Sequence, residues 1–352
     1  MAPSVTIRDV AQRAGVSTAT VSYVLNDSRP VGEKTRKRVL AAVEELGYHP
    51  SVVARGLQAG ESRMIGYCWR PTTGNQFNPI LEKFLHSVAE ACARYGYHVL
   101  TFPYPDPFDQ VQVYREMLQS GRVDGFVLPN TRFHDQRIRL LMDVGFPFVA
   151  FGRANPDWVF PWVDVDGRDG VGQAVRHLAD LGHRRIACVA WPVGQPVGDD
   201  RLEGYESAMA DLGLLVDDAW VVHCLNEYDA AYEAAVDWFE LPEDRRPTAA
   251  VAISDLMAIG VMNAAADAGL VIGREFGVAG FDDAPIASYL RPPLTSVSQP
   301  LKEAADQIVA ILVDLMQGVT PWPSQVLLKP RLSIRGSTAL AKLVDEKVEV
   351  VH

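Results

Sequence analysis

"VTIRDVAQRAGVSTATVSYVLN", residues 5–26, decides how the N-terminal part of this chain folds. Thr6 followed three residues later by Asp9 has the form of a capping box, with Asp9 where Glu or Gln is more usual. Ile7, Val10, Ala11 and Ala14 recur at i, i+3, i+4 and i+7, the single apolar stripe of an amphipathic helix. Gly15 ends that helix where a left-handed residue is needed, and Val16 packs into the turn. Ser17 is a good N-cap for a second helix, in which Val21, Val24 and Leu25 face inward. Two short helices joined by "AGVS" form a helix-turn-helix, whose second helix enters a DNA major groove by its N-terminal residues. Yet this second helix contains no Lys and no Arg.

Working outward, a third helix is expected over about Glu33–Leu46, with Val39, Val43 and Leu46 on one face and Lys34, Arg36, Lys37 and Arg38 near its start; Gly47 closes it. On this pattern alone, a three-helix bundle used for protein contacts stands beside DNA binding as a reading. Pro50 stops the third helix, and Ser51 caps a short segment through Leu57. That segment is too short to be a stable helix alone in water, so it is expected to order on a partner.

The chain has 352 residues and a net charge of −11, of which the first sixty residues carry +3 (eight Lys/Arg, five Asp/Glu) and the rest therefore −14. A basic head on an acidic body implies a head that meets phosphate and a body that does not. The length implies two or three units, and 48% hydrophobic with 22% charged residues is ordinary for a soluble globular protein. No apolar run approaches the roughly 20 residues that span a bilayer. The start "MAPSVTIRDVAQRAG" lacks the layout of a signal peptide. Cys68, Cys92, Cys188 and Cys224 are scattered, which reads as reduced thiols of a cytoplasmic protein and not as a disulfide framework or zinc site. No metal or cofactor is expected.

Beyond residue 61, the apolar runs "MIGYCW", "HVLTF", "GFVL", "FVAF", "RIACVA", "AAVAI" and "FGVAGF" alternate with helical patterns such as "GVGQAVRHLADLGH". Short apolar strands alternating with amphipathic helices imply parallel sheets covered on both faces. About 280 residues of this pattern favour two doubly wound lobes with a cleft between them. The expected organisation is a helix-turn-helix domain at 1–49, a hinge helix and linker at 50–61, a two-lobed domain at 62–340 and a tail at 341–352.

At this point "VTIRDVAQRAGVSTATVSYVLN" and "KTRKRVLAAVEELGYHPSVVARGL" together resemble the LacI/GalR family of bacterial transcription regulators, a likeness that continues to "IRGST" at 334–338. The resemblance implies an all-α helix-turn-helix head plus an α/β two-lobed effector domain similar to periplasmic sugar-binding proteins. It also implies that the segment ending at Leu57 is a hinge helix whose leucine wedges into the minor groove. The DNA contacts expected are Thr6, Ser17, Thr18, Ala19, Thr20, Ser22, Tyr23, Asn26, Arg29, Lys34, Arg36, Ala54, Arg55 and Leu57. Arg8, Arg13, Arg29, "EKTRKR" and Arg55 are available for phosphates, which dominate affinity. Thr18, Ala19, Ser22 and Tyr23 then approach base edges. Two departures matter: Tyr23 stands where the family often has a basic or polar reader, and Gly32 replaces the usual Ser/Thr cap of the third helix.

For the cleft, Arg201 in "DDRLEGY" matches the family's effector-binding arginine and Asp282 in "GFDDAP" its aspartate at a strand end. Ser254 and Asp255 begin a helix after "AAVAI", and Asp255 reads equally as a helix N-terminal charge. Asp169, with Asp166, is divided between capping a helix and reaching the cleft. Trp191 and Trp69 follow strands and either stack on a ligand ring or belong to the core. Phe77, Asn78 and Ile80 lie in "QFNPILEKF", which matches a family segment facing the pocket.

The function expected is a sequence-specific regulator, a repressor, controlled allosterically by a small molecule in the cleft, with a sugar favoured and a purine-type co-repressor as the alternative. A homodimer on a pseudo-palindromic operator is expected, since the tail shows no sustained heptad for a coiled-coil tetramer. A sugar-binding transport protein is opposed by the N-terminus and the basic head. An enzyme has no support: no nucleophile elbow, no Walker loop and no metal-spaced histidines are present.

Overall fold

The structure, a computed structural model, describes residues 5–26, 29–48, 61–69, 79–103 and 110–338. It separates into two compact units, residues 1–62 and 63–352.

Among the described residues, the first unit holds three helices, α1 (Ile7–Ala14), α2 (Thr18–Asn26) and α3 (Glu33–Leu46). The Thr6 N–H and hydroxyl both donate to the Asp9 carboxylate at 2.7 Å, which holds that carboxyl below its usual range. Gly15 has φ +64°, and the Val16 N–H closes the turn on the Ala11 carbonyl. Ser17 caps α2 by accepting the Thr20 N–H at 3.1 Å. Gly32 has no side chain to cap α3, but its carbonyl accepts from Thr35 and Arg36, and the helix starts where expected. Val10, Ala11, Ala14, Val21, Val24, Val39 and Ala42 form the core, so all three helices share one apolar centre.

The second unit contains, among the described residues, two six-stranded sheets. Lobe 1 is ordered β11-β5-β4-β3-β1-β2, with β1 (Met64–Trp69), β2 (His98–Pro103), β3 (Gly125–Leu128), β4 (Phe148–Phe151), β5 (Trp162–Val165) and β11 (Gln325–Leu328), all parallel. Its helices are α4 (Pro79–Arg94), α5 (Gln110–Ser120), α6 (Gln136–Val144) and α12 (Leu301–Met316). Lobe 2 is ordered β12-β10-β9-β8-β6-β7, with β6 (Ile186–Ala190), β7 (Val221–His223), β8 (Ala249–Ala252), β9 (Gly277–Asp282), β10 (Thr295–Ser298) and β12 (Arg331–Ser333). Its helices are α7 (Gly167–Asp180), α8 (Pro196–Asp211), α9 (Tyr228–Glu240), α10 (Asp255–Asp267) and α11 (Pro285–Tyr289).

Side-chain alternation explains why the lobe-1 strands read as continuous apolar runs. Ile65 and Tyr67 of β1 enter the cluster built with α4 and α12, while Cys68 enters the opposite cluster with Tyr114 of α5 and Ile138 and Leu141 of α6. Both faces are covered, so both sets of positions are apolar. The edge strand β2 is the exception, half exposed along most of its length. The chain crosses between lobes after β5, after β10 and again after β11. Returning from the last crossing, β12 runs antiparallel to β10, a departure from the all-parallel expectation at one edge. Among the described residues no helix is long and apolar enough to cross a membrane. The four cysteines are free, three of them buried.

Candidate functional site

In the first unit, Thr18 and Ala19 are exposed on the first turn of α2, beside the exposed Ser17, while Thr20, Ser22 and Tyr23 are half-buried. The Arg29 guanidinium carbon lies 5.2 Å from the ring centroid of Tyr23 on α2, a cation–π contact. Thr6 and Lys34 are exposed and Arg36 is half-buried. Arg13 is engaged elsewhere: its guanidinium pairs with Glu45 at 2.7 Å, tying α1 to α3. The Asn26 side chain and residues Ala54, Arg55 and Leu57 lie outside the described residues.

In the second unit, lobe-2 strand ends gather the polar groups. Arg201, early in α8, is 5% exposed. Its Nη1 donates to the Ile253 carbonyl at 2.6 Å, just past β8, and its Nη2 lies 3.7 Å from Asp282 Oδ1. The guanidinium carbon sits 3.7 Å from the Phe281 ring centroid and 5.3 Å from that of Trp191. Arg201 Nε is buried without a hydrogen-bond partner. Asp282 Oδ1 also accepts from Gln299 Nε2 at 2.7 Å.

The turn that presents Asp282 is strained. Asp282 and Asp283 have φ of +115° and +50°, a costly pair for residues with a side chain. The turn is held from below: Asp255 accepts the Ala284 N–H at 2.7 Å and the Ser296 hydroxyl, while Ser296 accepts the Asp283 N–H at 2.9 Å. Arg335 and Ser333 take the Asp283 carboxylate at 2.6 and 3.0 Å. Ser254 caps α10 and donates to Asn226 at 2.6 Å. Ser254 and Asp255 are therefore buried supports beneath the turn, 1% and 2% exposed.

Burial pushes the Asp282 carboxyl up to about 6, against the pull of Arg201 and Gln299. Burial, then the Asp282 charge, holds Asp255 well above the usual carboxylate range. Burial also lowers Arg201 from its ordinary value, against the carboxylates around it. The cluster thus pairs a carboxyl of raised pKa with a guanidinium stacked on aromatic faces.

A second polar group joins strand ends of lobe 1 to α8 of lobe 2. Arg153, after β4, donates from Nε to Asp164 Oδ2 at 2.7 Å, and its Nη2 lies 2.9 Å from Asp200 of α8. Burial disfavours the Arg153 charge, but the two carboxylates outweigh it and raise its pKa.

Of the cleft residues expected from sequence, Arg201, Asp282 and Trp191 come together, with Ser254 and Asp255 in the layer beneath. Asp169 is engaged within α7: it accepts from Gln173 at 2.8 Å, and its N–H donates to the cap Asp166. Trp69 and Ile80 pack on the lobe-1 core, and Phe77 and Asn78 lie outside the described residues. Gln299, Asn226, Ser296, Arg153, Asp164 and Asp200 were not singled out from sequence. Asp200 carried one usable signal, its place beside Arg201.

Residues 6–51 match the model for bacterial regulatory proteins of the lacI family, and residues 175–338 match a periplasmic binding protein-like domain. The chain is 31% identical over 335 residues to the HTH-type transcriptional repressor PurR of Photobacterium profundum, covering 94% of this chain and 98% of the relative. Among solved structures, it is similar to the lac repressor dimer bound to operator and the anti-inducer ONPF, with 26% identity and a TM-score of 0.83 over 96% of this chain and 100% of that one. It is also similar to the transcriptional regulator CelR–cellobiose complex, with 29% identity and a TM-score of 0.71 over 95% and 99% of the two chains. With a reading helix near its N-terminus and a two-lobed polar site later in the sequence, the chain belongs to the lacI family of bacterial regulatory proteins, as a DNA-binding transcriptional regulator with an effector domain.

Proposed function

We propose that this regulator is a cytoplasmic, homodimeric repressor whose operator affinity is set by a neutral carbohydrate bound between the lobes. The observation that carries the effector class is the Arg201–Asp282–Gln299 cluster. It offers a guanidinium, a carboxylate and an amide within a few ångströms, the donor and acceptor set that vicinal hydroxyls satisfy. Asp164, Asp200 and Asp282 face Arg153 and Arg201, so the lining holds no surplus of positive charge for an anionic ligand such as a phosphate ester. The Phe281 face is already covered by Arg201, which leaves no room there for a stacked purine. The similar regulator CelR was solved with cellobiose, which supports the same class.

On the DNA side, Thr18, Ala19, Ser22 and Tyr23 read base edges, with Arg29 held over Tyr23 at the groove. Arg8, Lys34, Arg36, Lys37 and Arg38 supply phosphate contacts and hence the salt dependence. The resemblance gives the hinge role to Ala54, Arg55 and Leu57. The effector acts by preferring one lobe arrangement over the other, a coupling typically of about 1–3 kcal/mol.

The test is a gel shift of the purified protein on the DNA upstream of its own gene, repeated with a sugar panel and a purine panel. A saturable, salt-sensitive shift that responds to a sugar is expected. A response to purines alone would overturn the carbohydrate class, and no specific shift under any condition would overturn the regulator reading.

A further inference from the structure

The polar group around Arg153 is built with more care than a surface ion pair requires. Its backbone is pinned: the Thr131 hydroxyl donates to the Arg153 carbonyl at 2.7 Å. The preceding Gly152 has φ +114°, and a Cβ there would meet Thr131 Oγ1 at 2.5 Å, so only glycine fits. The loop carrying Thr131 is fixed in turn by a buried pair, Arg137 with Asp135 at 2.6 Å, and by Arg137 donating to the Asn130 carbonyl at 2.9 Å. Arg137 and Asp135 are 4% and 6% exposed.

From this rigid base the guanidinium reaches both ways. It bonds Asp164 on β5 of its own lobe and Asp200 on α8 of the other. Asp200 is also fixed from its own side by the Arg168 N–H at 3.1 Å. The residue after Asp200 is Arg201, and both side chains pack on Gly167, whose added Cβ would lie 3.0 Å from each. Gly167 opens α7, the first segment after the chain crosses from lobe 1 to lobe 2. A change in the angle between lobes therefore acts on the Arg153–Asp200 contact and on the position of Arg201 together.

We propose that Arg153 is a positioning residue that clasps the two lobes through Asp200 and so sets where Arg201 stands before any ligand arrives. The clasp holds the closed arrangement in the free protein, and loss of it lowers the closed population and, in proportion, the apparent affinity of any ligand that needs closed lobes. Its bearing on effector affinity rests on the reading of Arg201 as an effector group; the clasp itself does not.

The experiment needs no ligand, so its failure is distinct from a failure of the carbohydrate reading. Spin labels are placed in the full-length protein at Val159→Cys on lobe 1 and Val193→Cys on lobe 2, positions 83% and 75% exposed, in a Cys224→Ser background. Pulsed dipolar distances are then compared for the parent, Arg153→Gln, Asp200→Asn and the double variant, with melting curves to verify folding. Each single variant is expected to move the distribution toward the open lobes by about fivefold in the closed-to-open ratio, the low end for such couplings because Arg153 is a third exposed. The double variant is expected to move it no further than either single change. Arg153→Lys, which keeps the charge but not the forked reach, should fall between. Distributions unchanged in both single variants, or a double variant equal to the sum of two independent shifts, would overturn the clasp.

Discussion

Arg201→Met is the perturbation that most directly questions the cluster. Methionine keeps the length and the apolar contact with Phe281 and Trp191 but removes the charge and the donors. What is lost is the 2.6 Å bond to the Ile253 carbonyl, a charged hydrogen bond of about 1.5–3 kcal/mol, and a buried cation–π contact of about 2 kcal/mol. Methionine against the same rings returns about 1 kcal/mol. Asp282, half-buried and already pushed up, is then left with no nearby cation. Breaking one side of such a pair costs about 3–5 kcal/mol, and at roughly 2 °C per kcal/mol for a unit of this size the melting point drops by about 6–10 °C. Replacing both partners is much cheaper, because no lone charge remains. Arg201→Met/Asp282→Asn should therefore recover most of the loss; asparagine also tolerates the positive φ at 282. The assay is urea and thermal unfolding of all four proteins at pH 7.5. If Arg201→Met melted within about 2 °C of the parent, or if the two changes were additive to about 0.5 kcal/mol, the pair would not be the energetic centre assigned to it.

Other expectations follow from the same geometry. The Asp282 carboxyl is raised in the folded protein, so its ionisation opposes folding: this contribution is absent below the unfolded value near 3.8, grows as pH rises through about 6 and is constant above. Asp282→Asn should accordingly gain stability over the parent as pH rises across that window, and a flat difference in unfolding free energy would refute the raised value. A sugar hydroxyl donating to the ionised Asp282 should bind more weakly at pH 5 than at pH 7.5, read by calorimetry; equal affinities would remove that contact. Gly152→Ala should cost more than about 1 kcal/mol because of its φ and the Thr131 hydroxyl, and a neutral change in the melting curve would contradict the packing. Leu57→Ala should weaken specific operator binding far more than non-specific binding, and equal losses in a gel shift would end the wedge role.

What could be read from sequence follows a physical divide. Most helix boundaries of the first unit were legible because they are written locally: Asp9 on Thr6, Gly15 in the left-handed region, Ser17 as a cap, Gly47 at the end of α3. The covered strands β1, β3, β4, β6, β8 and β9 were legible as apolar runs since both their faces are buried. β7, β11 and β12 lie at sheet edges, are only three or four residues long and carry half-exposed side chains, so no run marks them. For the candidate site, Arg201 and Asp282 were singled out through resemblance. Gln299 and Arg153 were not, because their partners Asp282 and Asp200 are 17 and 47 positions away and only the fold brings them near. Asp255 shows the limit from the other side: it stands at the right place in sequence for a ligand group, yet its two oxygens are spent on Ser296 and Ala284.

The same distinction between sequence position and actual engagement bears on the reading helix. α2 has no basic residue, and of the arginines that stand ready in the sequence, Arg13 is spent on Glu45. Phosphate attraction then falls, on the proposed reading, to Arg8 and the start of α3, while Arg29 is drawn to the Tyr23 ring. On the proposed reading this separates two properties that one arginine on α2 would combine. Changes at Lys34, Lys37 or Arg38 lower affinity evenly across DNA sequences and reduce the salt slope by about one each. Changes at Tyr23 or Arg29 alter which bases are preferred and leave the non-specific affinity nearly intact, because a stacked pair reads shape and edge together. An uncharged helix is thus a means of keeping attraction and discrimination on different residues, and the two salt slopes, measured side by side, are what would show it.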